Sequence, residues 1–557
     1  MKRIIIIFLL ISGVCRIEAQ VNTNTVKIFY ETRYHGQVDS SYYTLLEISG
    51  DMARISYHEK DPDVNAPLQN IYLDYKNNSQ IRTAELKDGQ KIHTIQEFTL
   101  NDNLTFLPET EEIAGYLCKK AMASINSNTI EIWYTTALKV KGTMQPGVGI
   151  PDGVVLKVVR NGQAEEKAVK VELIPEKTEL KPDLSGEALT AVDFNYRIQQ
   201  SMVVTISVFD RESIYFRDIP KINRLIDTAV MRFAHGSILL KKVTLPENSE
   251  DFAIFAELSQ FSEGDAYDRT GSVFMISDGQ ANSFLNGLLH GKDALPFYTD
   301  KHGNRYEGMV AAGNYEPPLE LMRFYTSFGV RGFNRIHVAG YHWPDSVIFK
   351  QEITDYAKRL RNEVWIGVWI GNYSQNGHNV SLKLKYYPND PQKEKEVFPL
   401  FTTVNILEMA GQAYPAELFR DDSLTVKFSL TADLKNASIR YVSTGHGGWG
   451  GGDEFNPKTN HLLLDGHNLM AYTPWREDCG SYRELNPASG NFSNGLSSSD
   501  LSRSGWCPGT VSYPVIVHIG DMKAGDHELK VAIPVGKPEG NSLSYWCLSG
   551  TLTGELK

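Results

Sequence analysis

Val380-Ser-Leu-Lys-Leu-Lys-Tyr386 places an apolar side chain at every second position. That period marks a strand with one face in a core and the other in water. The same reading extends in both directions. Upstream, Met202-Val-Val-Thr-Ile-Ser-Val-Phe209, Phe252-Ala-Ile-Phe-Ala256, Gly271-Ser-Val-Phe-Met-Ile276, Arg335-Ile-His-Val-Ala339 and Trp365-Ile-Gly-Val-Trp-Ile370 read as strands. Downstream, so do Leu424–Leu430, Ser438–Val442, His461–Leu464, Pro514–His518 and Leu529–Ile533. One short helix is expected near Glu352–Leu360, where Ile353, Tyr356, Ala357 and Leu360 fall at helical spacing. Many short strands separated by turns mean β-sandwiches. Two of them, meeting along a side, would leave a cleft between them.

The first part of the chain reads as strands too, at Val26–Tyr34, Ile71–Tyr75 and Ile130–Thr135. A charged stretch with two prolines, Glu172–Gly186, marks a boundary, and the polar run Asn389–Glu396 reads as a linker. The expected organisation is a leader at 1–19, an accessory β domain at 20–195, and sandwiches at 196–387 and 388–557.

Met1-Lys-Arg precedes a short apolar run, and Ile17-Glu-Ala19 precedes Gln20, the pattern of a signal peptide cut after Ala19. The run is too short to span a bilayer. Val14 is bulky for the position before a lipidated cysteine, so Cys15 argues for a secreted or periplasmic protein over a lipoprotein. The 557 residues carry a net charge of −11, and the leader's Lys2, Arg3 and Arg16 against Glu18 make the mature chain more acidic still. An acidic chain without a basic stripe argues against nucleic acid and anionic membranes as partners. No C-x-x-C, H-E-x-x-H, P-loop or G-x-S-x-G pattern occurs, so no metal, cofactor or nucleophilic serine is signalled. Cys479 and Cys507 bracket a loop rich in Gly, Ser and Asn, where a disulfide would restrain it. Cys118 and Cys547 are expected to be buried thiols.

Thr444-Gly-His-Gly-Gly-Trp-Gly-Gly-Gly-Asp-Glu-Phe455 packs His446, a Trp, Asp453 and Glu454 into a glycine-dense loop. Glycine costs backbone entropy, so such a run implies a demand of local geometry. The alternative is a hairpin tip with solvated charges. Gly264-Asp-Ala-Tyr-Asp-Arg269 puts Asp268 and Arg269 before a strand, which alone could be a turn with a weak surface ion pair. Leu496–Gly509 sets Arg503 and Trp506 beside Cys507. Arg can fork onto carboxylates or sugar hydroxyls, and Trp can cover a pyranose face. Its bland counterpart is a stapled structural loop with a packing Trp.

Taken in order, Gly264–Arg269, Thr444–Phe455 and Arg503-Ser-Gly-Trp-Cys-Pro-Gly509 resemble the peptide-N-glycosidase F family, over roughly residues 200–557. The resemblance implies an all-β fold of two side-by-side jelly-roll sandwiches, here preceded by an extra curved antiparallel β domain. It implies hydrolysis of the amide joining an N-glycan to asparagine, giving aspartate and a glycosylamine, with an N-glycosylated peptide or protein as substrate and the enzyme as a monomer. It makes Asp268 the central catalytic carboxylate and Glu454 its partner, with Arg269, Arg503, Trp506 and His446 lining the site. The family's third carboxylate falls on Trp369-Ile-Gly-Asn-Tyr373, where the pairing puts Gly371, with Tyr373 replacing an aromatic. A side chain missing beside the first GlcNAc would open space for a core α1,3-fucose; a one-residue slip in the pairing would remove that inference.

Gly115–Ala121, Ile130–Tyr134 and Gly147–Gly153 resemble exported GLPGLI-type domains, which makes the first domain a lid, a substrate-positioning module or a stabilising appendage. The rival to the enzyme is a non-catalytic N-glycan-binding protein on the same double sandwich. Binding alone does not require both Asp268 and Glu454.

Overall fold

The alternation at 380–386 is realised in the computed structural model, where Val380, Leu382, Leu384 and Tyr386 are all fully buried on the strand His378–Pro388. Burying each such side chain stabilises by about 1.5–3 kcal/mol. The structure describes residues 25–59, 67–98, 103–328, 339–340, 342–420, 422–448, 452–487, 497–535 and 543–557. The leader expected at 1–19, Cys15, and the strand expected at 335–339 apart from Ala339 lie outside the described residues.

The chain divides into two compact units, the first ending at Met202 and the second beginning at Val203. The boundary expected at 195 falls inside a helix, Ala191–Met202. Phe194 and Ile198, one turn apart, bury against Ala84, Leu86 and Ile92 of the first unit, so the helix belongs there. Thr190-Ala-Val-Asp193 starts it: the Asp193 N–H donates to Thr190 Oγ1 at 3.1 Å, and the Thr190 hydroxyl donates to the Asp193 carboxylate at 2.7 Å.

The first unit is a single sheet of 13 strands among the described residues, antiparallel except where Glu187–Ala188 runs parallel to Lys91–Glu97. Ile28, Leu46, Ile55, Ile130 and Ile132 form its core together with Cys118, a buried free thiol.

The second unit holds two β-sandwiches. One packs a four-stranded sheet on a six-stranded one, and the other packs two four-stranded sheets. Five strands position the site. They are β1 (Thr270–Ser277), β2 (Leu319–Tyr325) and β3 (Asn362–Ile370) in the six-stranded sheet, and β4 (Leu434–His446) and β5 (Tyr545–Leu556), neighbours in the second sandwich. The fold is therefore all-β, with two jelly-roll sandwiches after an antiparallel domain.

The sandwiches share a seam in which Phe274, Trp365 and Trp369 meet Val404, Ile406, Leu407 and Cys547. Val511–Ser512, from the C-terminal stretch, pairs with Phe324 and Arg323 of β2 and so adds a strand to the first sandwich. Arg323 is 1% exposed; it forks onto Glu320 with both bonds at 2.7 Å and donates to the Cys547 carbonyl at 2.7 Å. Ser549 donates to the same Glu320 across the seam. A buried ion pair with its remaining hydrogen-bond capacity filled fixes which face meets which.

The helix expected at 352–360 is a 3-10 segment, Thr354–Arg359. Ile353, Tyr356, Ala357 and Leu360 are buried as their spacing requires, but the segment is a tight link between two strands and is too short for an α-helix to propagate. An α-helix at Phe284–His290 was not expected from the sequence.

Candidate active site

Strand ends from both sandwiches converge on a cavity of about 620 Å³. Asp268 and Arg269 enter just before β1, Gly371 and Tyr373 just after β3, His446 from the end of β4 and Tyr545 from the start of β5. The glycine loop supplies Glu454. A Cβ on Gly452 would lie 1.9 Å from the Gly447 carbonyl oxygen, and Gly447 itself has φ +118°, so the loop closes on itself only with glycine at both places. Trp449, Gly450 and Gly451 lie outside the described residues. Asp453 and Glu454 part company: Asp453 is 1% exposed and accepts from Trp546 Nε1 at 2.8 Å, whereas Glu454 lines the cavity.

Asp268 and Glu454 meet at one guanidinium. Arg503 Nη1 lies 3.1 Å from Asp268 Oδ2 and also contacts Glu454 Oε1, while Nη2 donates to the Ser498 carbonyl at 2.8 Å. Arg503 is 1% exposed, so its cation acts where water screens little. Asp268 Oδ2 takes no aligned hydrogen bond despite that proximity. Burial pushes Glu454 up to about 7; Arg503 pulls it down and the Asp268 charge pushes it up again. Burial likewise raises Asp268 above the ordinary carboxylate range, against the pull of Arg503. Two carboxylates sharing one cation cannot both ionise cheaply, so the pair retains a proton close to neutrality and titrates as a unit.

The disulfide between Cys479 and Cys507, 28 residues apart, holds the loop that carries Arg503. Closing a loop of that length stabilises by on the order of 3 kcal/mol in the chain-entropy picture. Arg476 and Arg503 exchange backbone hydrogen bonds of 2.9 and 3.0 Å across the base of this loop.

Arg269 lines the cavity but pairs with Asp265, not Asp268, at 2.8 Å. Burial raises Asp265, but His378 and Arg269 outweigh it and bring it down to about 2. Asp265 is thus a permanent anion that anchors Arg269. The arginine's guanidinium lies over the Tyr267 and Tyr373 rings, 4.8 and 5.3 Å from their centroids.

Trp369 and Glu408 wall the space beside Gly371. A Cβ there would meet Trp369 at 3.2 Å and the carboxylate of Glu408 at 3.4 Å. Glu408 comes from the short 3-10 segment Glu408–Ala410, and the Tyr373 and Tyr414 hydroxyls both hydrogen-bond its Oε1. Burial raises it above the ordinary carboxylate range, while Tyr414 and Arg269 hold it down. The cavity therefore has a third carboxylate after all, reached from a distant part of the chain.

Trp506 is only 3% exposed. The Tyr325 ring stacks on it at 4.1 Å, the Arg503 guanidinium lies 4.4 Å from its centroid, and its Nε1 donates to the Gly445 carbonyl at 3.0 Å. It lines the cavity as a supporting wall, with Tyr325 stacked on its ring. His446 stacks between Trp506 and Tyr545, with centroids at 5.5 and 5.0 Å.

Residues 205–386 match the family described as peptide-N-glycosidase F, N terminal, and residues 413–553 match peptide-N-glycosidase F, C terminal. A solved structure of PNGF-II in space group P21 is 42% identical, covering 96% of this chain and 100% of that chain with a TM-score of 0.78. The chain belongs to the peptide-N-glycosidase F family. A second PNGF-II structure, in space group C2, gives 42% identity, 96% and 98% coverage and a TM-score of 0.70. Peptide-N-glycosidase F from Flavobacterium meningosepticum, a glycosylasparaginase, is similar at 14% identity over 64% of this chain and 96% of its own, with a TM-score of 0.43. No curated protein matches. Residues 28–197 match the N-glycanase peptide N-terminal domain. That match covers the stretch whose glycines resemble GLPGLI-type domains, so the first unit is of the N-glycanase kind.

The residues that sequence reasoning missed are Glu408, Tyr414 and Tyr545. Glu408 sits in Leu407-Glu408-Met409, which carries no motif, and only its folded neighbours identify it. Tyr545 is opposite His446 in the β4–β5 register, a pairing visible only once those strands are aligned.

Proposed function

We propose that this peptide-N-glycosidase F family member hydrolyses the amide between an N-glycan and its asparagine. Water adds to the asparagine side-chain carbonyl carbon, the C–N bond breaks, and the nitrogen takes a proton and leaves as the glycosylamine; aspartate remains in the peptide. The observation that carries the reading is the Asp268–Arg503–Glu454 cluster, whose two carboxylates line the cavity. Within the pair, the ionised carboxylate takes the water's proton and the protonated one supplies the departing nitrogen, a contribution of roughly 10²–10⁴ in rate. Arg269, which lines the cavity, offers donors to the oxyanion, and Arg503 supports it by its charge. A glycan-binding protein would have no use for two acids held against one another at the cost of burial.

The substrate is an N-glycosylated peptide or protein, met outside the cytoplasm by a secreted monomer. The Cys479–Cys507 bridge suits an oxidising compartment, and among the described residues no helix is long and apolar enough to cross a membrane. The cavity also admits a core α1,3-fucose. Gly371 contributes no side chain there, and the third carboxylate, Glu408, is fixed on the neighbouring wall by Tyr373 and Tyr414.

One experiment covers both points. A pair of matched glycopeptides, with and without core α1,3-fucose, is incubated in ¹⁸O-water and followed by mass spectrometry. The expected result is ¹⁸O-labelled aspartate from both, at rates within about tenfold of each other, since one tolerated substituent is worth little more than that. Asparagine still bearing one GlcNAc would contradict amidase action. Release from the unfucosylated peptide alone would remove the fucose reading and leave the rest.

A further inference from the structure

His446 is in the cavity wall, yet no step above uses it. Its Nε2 is fully engaged beneath the cavity: the Thr444 hydroxyl is 3.0 Å away and the Tyr325 hydroxyl 3.1 Å. Among the described residues no hydrogen bond reaches Nδ1, and the ring lines the cavity, so Nδ1 is the nitrogen available to a ligand.

The protons around Nε2 can be assigned. Thr444 Oγ1 has two lone pairs and one hydrogen. Arg323 Nη1 donates to it at 3.2 Å and the Tyr325 hydroxyl donates at 2.8 Å, which uses both lone pairs. Its own hydrogen then has two acceptors in range, His446 Nε2 at 3.0 Å and the Cys547 carbonyl at 3.3 Å. That carbonyl already accepts the charge-assisted bond from Arg323 at 2.7 Å, and the nearer acceptor is the imidazole. A hydroxyl polarised by a guanidinium is a stronger donor. With that hydrogen given to the nearer acceptor, Nε2 accepts, and in a neutral ring the hydrogen then sits on Nδ1.

We propose that His446 is a substrate-binding hydrogen-bond donor, presenting Nδ1–H to a carbonyl oxygen of the bound glycosylated asparagine, with Thr444, Tyr325 and Arg323 as the positioning residues that set its tautomer. The inference rests on the glycoamidase reading of this cavity and adds a neutral donor to the arginine already there. The ring stays neutral for a physical reason: burial disfavours its cation, and the charges of Arg323 and Arg503 oppose it further, bringing it down to about 3. The titratable rings packed against it, Tyr325 and Tyr545, are themselves raised by burial and uncharged at working pH, so neither restores the cation. A neutral donor suits a carbonyl oxygen, either of the scissile amide or of the acetamido group on the first sugar. It lies between the Arg503 end of the cavity, reached through Trp506, and the Glu408 end, reached through Tyr545 and Tyr414.

Two measurements on the full-length protein test this. In ¹⁵N-histidine-labelled enzyme, the resonances lost in the His446→Asn variant are expected to report protonated Nδ1 and bare Nε2, unchanged as the pH falls from 8 to 5. Protonated Nε2, or titration within that window, overturns the proposal. Kinetically, Asn places an amide N–H near the position of Nδ1, and Gln places one near Nε2. His446→Asn is expected to lose less than about tenfold in kcat/KM, and His446→Gln about 10²–10³, the usual cost of a missing transition-state donor. Equal losses would contradict the assignment. A glycopeptide whose first sugar has a hydroxyl in place of the acetamido group separates the two carbonyls: the Gln penalty disappears on it if the acetamido oxygen is the acceptor and persists if the amide oxygen is. Wild-type protein that leaves glycopeptides intact would end the glycoamidase reading, while the tautomer measurement would still stand or fall on its own.

Discussion

Asp268→Asn is expected to reduce kcat/KM on a defined glycopeptide by at least about 10³-fold with the fold intact, because it removes a carboxylate from a pair that must both take and give a proton. Asn keeps the shape and leaves Arg503 paired with Glu454, so the protein should fold and not lose melting temperature. Glu454→Gln is expected to cost about 10²-fold or more by the same argument. The pH dependence follows from the shifts. Both carboxyls are raised by burial, and Glu454 reaches about 7. Wild-type kcat/KM should therefore fall as pH rises above about 7, where the pair loses the proton it donates. Removing the Asp268 charge removes one of the influences that raise Glu454, so residual activity in Asp268→Asn should fall away at lower pH than in the wild type. Stability has a defined sign as well. A carboxyl raised in the folded state contributes stability that is complete below its unfolded value of 4.5 and is lost as pH rises through about 7. Glu454→Gln should thus gain in melting temperature, relative to wild type, between pH 5 and pH 8. A variant retaining more than a tenth of wild-type kcat/KM at either position would contradict the assignment.

Arg503→Met should be the most damaging single change in both fold and activity. Met fills much of the same volume but leaves Asp268 and Glu454 facing each other with no cation, and frees the Ser498 carbonyl. Removing one partner from a buried ionic cluster costs about 3–5 kcal/mol. Activity should drop below detection, since the pair would then hold its protons well above neutrality and lose its base. Arg503→Lys separates the two effects. It keeps the charge but not the planar fork, so it should recover much of the stability and little of the activity. Thermal melts and steady-state kinetics on the three proteins decide this; a Met variant that melts with the wild type would show that Arg503 is not the hub described here.

Much of this was visible in the sequence, and the failures have physical causes. Strands with one buried face announce themselves through period two, and 380–386 lost nothing in folding. The helix at Ala191–Met202 was legible in principle, from Thr190, Asp193, Phe194 and Ile198, but it lies beside a proline-bearing stretch that reads as a domain boundary. In the site, Asp268, Glu454 and Arg503 were marked by glycine and cysteine, residues that constrain backbone and therefore leave a local trace. Glu408 left no trace, because its role comes from Tyr373, Tyr414 and the absent side chain of Gly371, all brought together only by the seam between sandwiches. The setting of Trp506 was hidden for the opposite reason: composition shows that an indole is present, but not that Tyr325 stacks on it.

The most direct test is a crystal structure of the Asp268→Asn protein with a chitobiosyl-asparagine peptide bound. The account predicts the sugar–asparagine amide between residue 268 and Glu454, within hydrogen-bond reach of both, with the first GlcNAc toward Glu408. A glycopeptide bound elsewhere, or one whose amide lies beyond reach of either side chain, would contradict it.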